Sequence, residues 1–322
     1  MSKMSCSEAL GEAMKIRMRQ DPRVIIFGED VADMGGTYGV TQGFLEEFGP
    51  ERVRDTPISE SGFVGAAVGA AATGLRPIAE LMMCDFLTVC MDPLVNQAAK
   101  MRYMFGGNIS VPVVVRMASG VAYGSAAQHN QSLEAWVTHV PGLKVVYPSN
   151  PQDSLGLLLS AIDDDNPVVF FEHKQLYAKK GEVTSFEPIP LGKGRIDREG
   201  RDVSIITYAK QVYTAQEAAE ILAREGIEAE IIDLRSLYPL DKELIAQTVS
   251  KTHRAVVVTE ENRRGGFGGE LSAMISEELF DELDAPVARI GALNTPVPYA
   301  PQQEQYYLPN AADIVDAVRG MF

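Results

Sequence analysis

Cysteine is scarce: Cys6, Cys84 and Cys90 are three in 322 residues, and no two stand in a CxxC pair. A disulfide framework and a cysteine-built zinc site are therefore not expected, and a reducing compartment fits. Basic residues are outnumbered, 29 Lys and Arg against 44 Asp and Glu, for a net charge of −15. Nucleic acids and anionic membranes both need a basic face, so neither is an expected partner. A solvated acidic surface is the simplest meaning of that charge, and a basic protein partner the next. No apolar run approaches the roughly 18 residues that span a bilayer. Met1 to Gln20 carries amphipathic spacing instead of the apolar core of a signal segment. The expectation is a cytoplasmic protein. There is no Gly-x-x-x-x-Gly-Lys-Ser/Thr, hence no P-loop, and neither an internal repeat nor a low-complexity tract.

What is present is alternation. The length suits two domains, each large enough for its own core. Apolar runs with strand character fall at Val24–Gly28, Pro77–Leu81, Val111–Arg116, Leu143–Tyr147 and Val168–Glu172. A second series follows at Val203–Tyr208, Glu228–Asp233, Ala255–Glu260 and Val287–Ile290. Between them the spacing predicts helices over Ser5–Gln20, Ser61–Gly74, Pro93–Phe105, Pro151–Asp163, Ala215–Glu225, Leu240–Lys251 and Glu270–Leu283. Alternation of this kind predicts an α/β fold, and strands that are apolar throughout predict parallel sheets covered on both faces. Around residues 179–201 the pattern breaks into Lys179-Lys180-Gly181 and the Pro- and Gly-rich Phe186–Gly194, which reads as a linker. The expected domains are residues 1–178 and 202–322.

Few segments carry chemistry on their face. Asp55-Thr-Pro-Ile-Ser-Glu60 sets a carboxylate at the start of a helix whose next turns, to Gly74, are nearly all small residues. Such a helix is expected to lie close against another element or subunit. Glu60 is then placed near buried surface, where its acidity can be tuned for proton transfer. Gly265-Gly-Phe-Gly-Gly269 lacks the GxGxxG spacing of a dinucleotide site and reads as a tight strand-to-helix connection. Of the four histidines, His129 follows the glycine-containing stretch Gly120–Gly124 after an expected parallel strand, the end of a sheet where ligands bind. Alone it is as readily a surface or capping histidine. His139 and His173 have no spacing partner for a metal, and Met82 and Phe86 taken singly are core residues.

Together these residues resemble a known family. Asp55–Glu60, Pro77-Ile-Ala-Glu-Leu-Met82, Gln97–Gly107, Gln128-His129 with Ser132–Trp136, Pro141–Val146, Asp165-Asn-Pro167, Ile232-Asp-Leu-Arg235 and Thr295-Pro-Val-Pro298 occur in order along nearly the whole chain. They resemble the beta subunit of the thiamine-diphosphate-dependent decarboxylating component of 2-oxo acid dehydrogenase complexes. The resemblance implies a pyrimidine-binding domain of the thiamine-diphosphate-binding fold followed by a transketolase C-terminal-like α/β domain. It also implies an alpha subunit, two of each chain assembling, because the family holds the cofactor's diphosphate and Mg²⁺ on an alpha-chain Gly-Asp-Gly motif. This chain has no Gly-Asp-Gly.

By the same resemblance Glu60 would hydrogen-bond the cofactor's aminopyrimidine N1′, Phe86 would stack on that ring and Met82 would wall it. His129 would face the reacting carbonyl or guide the lipoyl acceptor. A monovalent cation, K⁺, common in the family, would map to Val113, Ala161, Ile162, Asp164 and Asn166; a loop closing a helix before Asn166-Pro167 explains those residues equally well. The implied reaction is cleavage of acetoin or pyruvate with transfer of the acyl unit to lipoamide on an acyltransferase core. The lean is to acetoin, although a methyl-sized difference in a pocket is worth only about 1–3 kcal/mol. Phe86 and the Met- and Cys-lined segment beside it weigh against a branched-chain substrate. The other readings are a branched-chain 2-oxo acid dehydrogenase beta subunit, a docking subunit for the acyltransferase core and a nucleotide-binding redox protein built on Gly265–Gly269, which lacks the acidic ribose partner such a site needs.

Overall fold

The computed structural model describes residues 2–322. The chain divides into two compact units. One comprises the residues up to Ser119 together with Trp136–Leu191, the other Gly120–Ala135 with Gly192–Phe322. The elements of the first half are β1 (Ser2–Ser5), α1 (Cys6–Gln20), β2 (Val24–Gly28), α2 (Phe44–Phe48), β3 (Val53–Asp55), α3 (Glu60–Ala72) and β4 (Arg76–Leu81). They continue as α4 (Ala99–Met104), β5 (Val114–Ser119), α5 (Glu134–Thr138), β6 (Lys144–Val146), α6 (Pro151–Asp163), β7 (Val168–His173) and β8 (Lys180–Val183).

Six strands of the first unit run in the order β6-β7-β5-β4-β2-β3, every neighbour parallel. Each residue of β5 and β7 is buried, Arg116 and Glu172 among them, as central strands of a sheet covered on both faces require. α1 and α6 pack on each other over this sheet, burying Leu10, Met14 and Met18 against Leu155, Leu158, Leu159 and Ile162. A fully buried leucine contributes about 1.5–3 kcal/mol. Both helices start on sequence signals. Ser5 and Glu8 form a reciprocal capping box, and the Asn150 side chain accepts from Asp153 N at 2.9 Å ahead of Pro151 at N1. The helix expected over Pro93–Phe105 is two pieces, a π-helical stretch Asp92–Ala98 leading into α4.

The second unit holds β9 (Arg195–Arg198), β10 (Val203–Thr207), α7 (Gln211–Arg224), β11 (Ala229–Asp233), β12 (Ser236–Tyr238), α8 (Lys242–Thr252) and β13 (Ala255–Asn262). It ends with α9 (Phe267–Glu278), β14 (Ala288–Ala292), α10 (Pro301–Tyr307) and α11 (Ala311–Arg319). The sheet order is β14-β13-β10-β11-β9, parallel except for β9 on the edge. Strand alternation sorts the two faces. Val203, Ile205, Ile231, Val256 and Val258 pack with Ala215, Leu222, Ile314 and Val318 of α7 and α11. On the opposite face Ser204 bonds Thr248 and Thr252 of α8, at 2.8 and 2.6 Å.

The stretch read as linker, residues 179–201, carries β8, which pairs antiparallel with β1, and β9. No helix among the described residues is long and apolar enough to cross a membrane.

Candidate active site

The strand order brings the C-terminal ends of β3, β2 and β4 side by side. Gly28 stands in register with Asp55 on one side and Glu80 on the other. Beyond the ladder the pairing continues: Thr56 N donates to Gly28 O at 2.9 Å. The Asp55 carboxylate accepts from Ala32 N at 2.7 Å and Asp33 N at 3.2 Å, tying the exit of β3 to the loop after β2. Only a glycine fits at 28, since a Cβ there would stand 2.6 Å from Glu80 O.

This zip fixes Glu29, the first residue past β2, against Ser59-Glu60 at the start of α3. Glu29 and Glu60 are 4% and 5% exposed. Glu29 accepts from the Ser59 backbone N–H, while its Oε1 is buried without a donor. Burial first, then the Glu60 charge, pushes the Glu29 carboxyl up, toward its protonated form. The Cys90 thiol is pushed up to about 12, by burial first and then by Glu60. It is an inert thiol packed beside a carboxylate. Met82 follows β4 directly, and Phe86 sits in the 3₁₀ turn Cys84–Thr88; both are half-buried. The ends of adjacent parallel strands therefore gather two buried acidic side chains, Glu29 and Glu60, and two apolar side chains at the edge where α/β sheets bind ligands.

α3 meets the expectation for a small-residue helix on one face. Phe63, Val64, Ala67, Val68 and Ala71 are buried and the helix packs on β4 and the Asp92–Ala98 turn. The opposite face, Gly62, Ala66 and Gly69, is exposed.

His129 lies in the 120–135 segment that belongs to the second unit. That segment is fastened by Val121 N donating to Glu260 at 2.7 Å, by Ala122 N donating to Asn130 Oδ1 at 3.1 Å and by the Asn130 amide donating to Glu304 at 3.2 Å. His129 itself is half-buried beside the fully buried Asn130.

Of the residues considered for a cation, Ile162 O and Asp164 O accept from Arg76 Nη1 at 3.0 and 3.2 Å. The Asp164 carboxylate is paired with Lys144 and accepts from Asn166 N at 2.9 Å. Two of the oxygens a cation would use thus face a guanidinium.

Comparison with known proteins decides the family. Residues 2–180 match the transketolase pyrimidine-binding domain and residues 192–314 the transketolase C-terminal domain. The chain is 50% identical to the acetoin:2,6-dichlorophenolindophenol oxidoreductase subunit beta of Bacillus subtilis (strain 168), over 97% of this chain and 95% of that one. The chain belongs to this transketolase-like beta-subunit family. It is also 47% identical to the pyruvate dehydrogenase E1 component subunit beta of Rickettsia conorii, covering 97% and 96% of the two chains. Against the 2-oxoisovalerate dehydrogenase subunit beta of Bacillus subtilis the identity is 44%, with 99% and 98% covered. A solved structure of a split gene transketolase, an inactive beta4 tetramer, shares the fold at a TM-score of 0.81 and 24% identity over 99% of this chain and 98% of that one.

Sequence reasoning on this beta-subunit chain singled out Glu60, Met82 and Phe86 but not Glu29. The signal for Glu29 was present: an acidic residue immediately past an apolar parallel strand, at the ligand-binding end. Its partner could not be read, because nothing local pairs β2 with β3.

Proposed function

We propose that this chain is the beta subunit of a thiamine-diphosphate-dependent dehydrogenase component that cleaves a C–C bond of acetoin or pyruvate and passes the acyl unit to lipoamide. The observation that carries the reading is the Glu29–Glu60 pair at the strand ends. A buried carboxyl oxygen without a donor, next to a second carboxylate and apolar walls, suits a flat heteroaromatic ring that brings its own polar edge. When bound, thiamine diphosphate supplies the thiazolium that takes up electrons during C–C cleavage. Glu60 holds or returns a proton at the ring nitrogen it faces. Glu29, kept toward its protonated form, limits the negative charge beside it. Met82 and Phe86 orient the ring and exclude water, and His129 stabilises negative charge developing on the substrate carbonyl oxygen.

The diphosphate and Mg²⁺ are assigned to an alpha subunit, since this chain has no Gly-Asp-Gly. Assembly as two alpha and two beta chains is supported by apolar residues left in solvent in the first unit: Ile58 at 85%, Tyr103 at 89% and Met104 at 72% exposure. The small outward face of α3 adds to them. A lipoyl-bearing acyltransferase core is the assigned acceptor. A potassium ion at Val113, Ala161, Ile162, Asp164 and Asn166 would have to share the Ile162 and Asp164 carbonyls with Arg76, which already brings positive charge there.

The test is dye reduction by the chain co-purified with its alpha partner, thiamine diphosphate and Mg²⁺, on acetoin and on pyruvate. Turnover of either supports the reading and names the substrate. Turnover of branched-chain 2-oxo acids alone would replace it.

A further inference from the structure

Three glutamates are buried together in the second unit: Glu134 at 1% exposure, Glu260 at 5% and Glu261 at 2%. Donors account for two of them. Glu260 accepts from Val121 N at 2.7 Å and from the Gln211 amide at 3.3 Å. Glu261 accepts from Gly268 N at 3.2 Å and from the backbone N–H groups of Phe267 and Ala135. Glu134 differs, for its Oε2 is buried with no donor. After burial itself, the strongest influence on it is the charge of Glu261.

The groups facing this pair come from every surrounding element. They are Glu260 on β13, Tyr208 just past β10, Gln211 opening α7, and Tyr307 on α10, whose phenol is pushed up to about 12 by burial first. All of these are neutral or anionic. Two buried carboxyls within each other's influence and faced by such groups do not both ionise. One proton between them satisfies Glu134 Oε2 and removes one charge.

We propose that Glu134 and Glu261 share one proton, and that this carboxyl–carboxylate hydrogen bond fastens the 120–135 segment, with His129 on it, to the second unit. The other fastenings of the segment are a main-chain N–H to Glu260, the Ala135 N–H to Glu261, the Asn130–Glu304 bond and the apolar contact of Val121 with Ala292, Val297 and Tyr307. Glu134 and Glu261 are thereby positioning residues for His129. Their effect on turnover, though not the fastening itself, rests on His129 acting at the substrate.

The sign of the pH dependence follows from linkage. The pair's retained proton is seen at Glu134, which is pushed well above its usual 4.5 by burial first and then by the Glu261 charge. The closed segment therefore keeps a proton that the open one gives up. The fastening is complete below about pH 4.5 and weakens as pH rises above it, by about tenfold in the opening constant per pH unit.

Hydrogen exchange by mass spectrometry on the full chain tests this, comparing amides 121–135 at about pH 5.5 and about pH 7 after correction for intrinsic rates. Wild type is expected to lose about thirtyfold in protection between the two. Glu134→Gln, whose amide is a permanent donor, should lose none. Its infrared difference spectrum against wild type should show one buried protonated carboxyl gone. Equal protection at both pH values in wild type, or no carboxylic acid band in the difference, overturns the proposal; Glu261→Gln serves as the second variant should Glu134→Gln not fold. In the assembled complex, a kcat/KM pH profile flattened by Glu134→Gln links the fastening to His129. An unchanged profile alongside the expected exchange would instead remove His129 from the chemistry and leave the fastening standing.

Discussion

Replacing Arg116 by methionine is expected to destabilise the first unit by about 3–5 kcal/mol at neutral pH, because it strands buried charge of one sign. Arg116 sits mid-strand in β5 with its side chain 2% exposed. Its Nη1 donates to Glu80 on β4, and its Nε and Nη2 donate to Glu172 on β7 at 2.7 and 2.6 Å. The Tyr177 hydroxyl adds a bond to Glu172 at 2.7 Å. One cation thus serves two carboxylates whose side chains are 7% and 2% exposed.

Burial alone would push the guanidinium down, and the Glu172 and Glu80 charges more than reverse it. Glu80 is pushed up, by burial first, with Arg116 the chief opposing influence. Without Arg116 that opposition is gone. A carboxyl raised in the folded state keeps a proton that the unfolded chain releases near 4.5. Stability of the variant therefore falls as pH rises above that value, by about 1.4 kcal/mol per pH unit for each proton retained. Between about pH 5 and about pH 7 the variant should lose about 2.7 kcal/mol for each carboxyl proton that it retains and wild type does not.

Urea unfolding followed by fluorescence of Trp136, the single tryptophan and part of the first unit, measures this at both pH values. Adding Glu80→Leu and Glu172→Leu should recover most of the loss, since a well-packed apolar triad replaces a buried ionic one at little net cost. A loss below about 1 kcal/mol, or the same loss at both pH values, would refute the reasoning.

Three further outcomes are expected. Glu60→Gln leaves the assembly intact by size-exclusion chromatography and lowers turnover by about 10²–10⁴-fold; near-normal turnover would remove the proton-transfer role. Arg76→Gln releases the Ile162 and Asp164 carbonyls, so potassium should raise the melting temperature of that variant and not of wild type. A potassium effect of equal size in both would show that the guanidinium does not stand in for the ion. Calorimetry should find weak thiamine diphosphate binding by this chain alone and tight binding once an alpha chain is present, and tight binding without it would contradict a shared site.

Long elements with end signals were legible in the sequence. α6 begins at Pro151 behind the Asn150 cap and ends at Asp163, the expected bounds, and β2 matches Val24–Gly28. β1, β3, β8 and β9 were not read: each is three or four residues long and gains its hydrogen bonds from a strand distant in sequence. α11 was missed although Asn310 and Asp313 form a capping box in the structure, a signal the sequence does contain. At the site, Glu60 was legible because a helix start and a small-residue run are local features. Glu29, the Arg116 network and the Glu134–Glu261 pair were not.

The sequence by itself determined segment identity, the parallel α/β class and the absence of a diphosphate motif, since capping, periodicity and composition act within a few residues. Tertiary structure alone decided which carboxylates meet: Glu29 with Glu60 through the adjacency of β2 and β3, and Glu134 with Glu261 through the docking of a segment on a strand more than a hundred residues away in the chain. Acidity is a property of those meetings. A carboxyl's proton affinity is set by the water it loses and the charges it gains, and neither exists until the chain has folded.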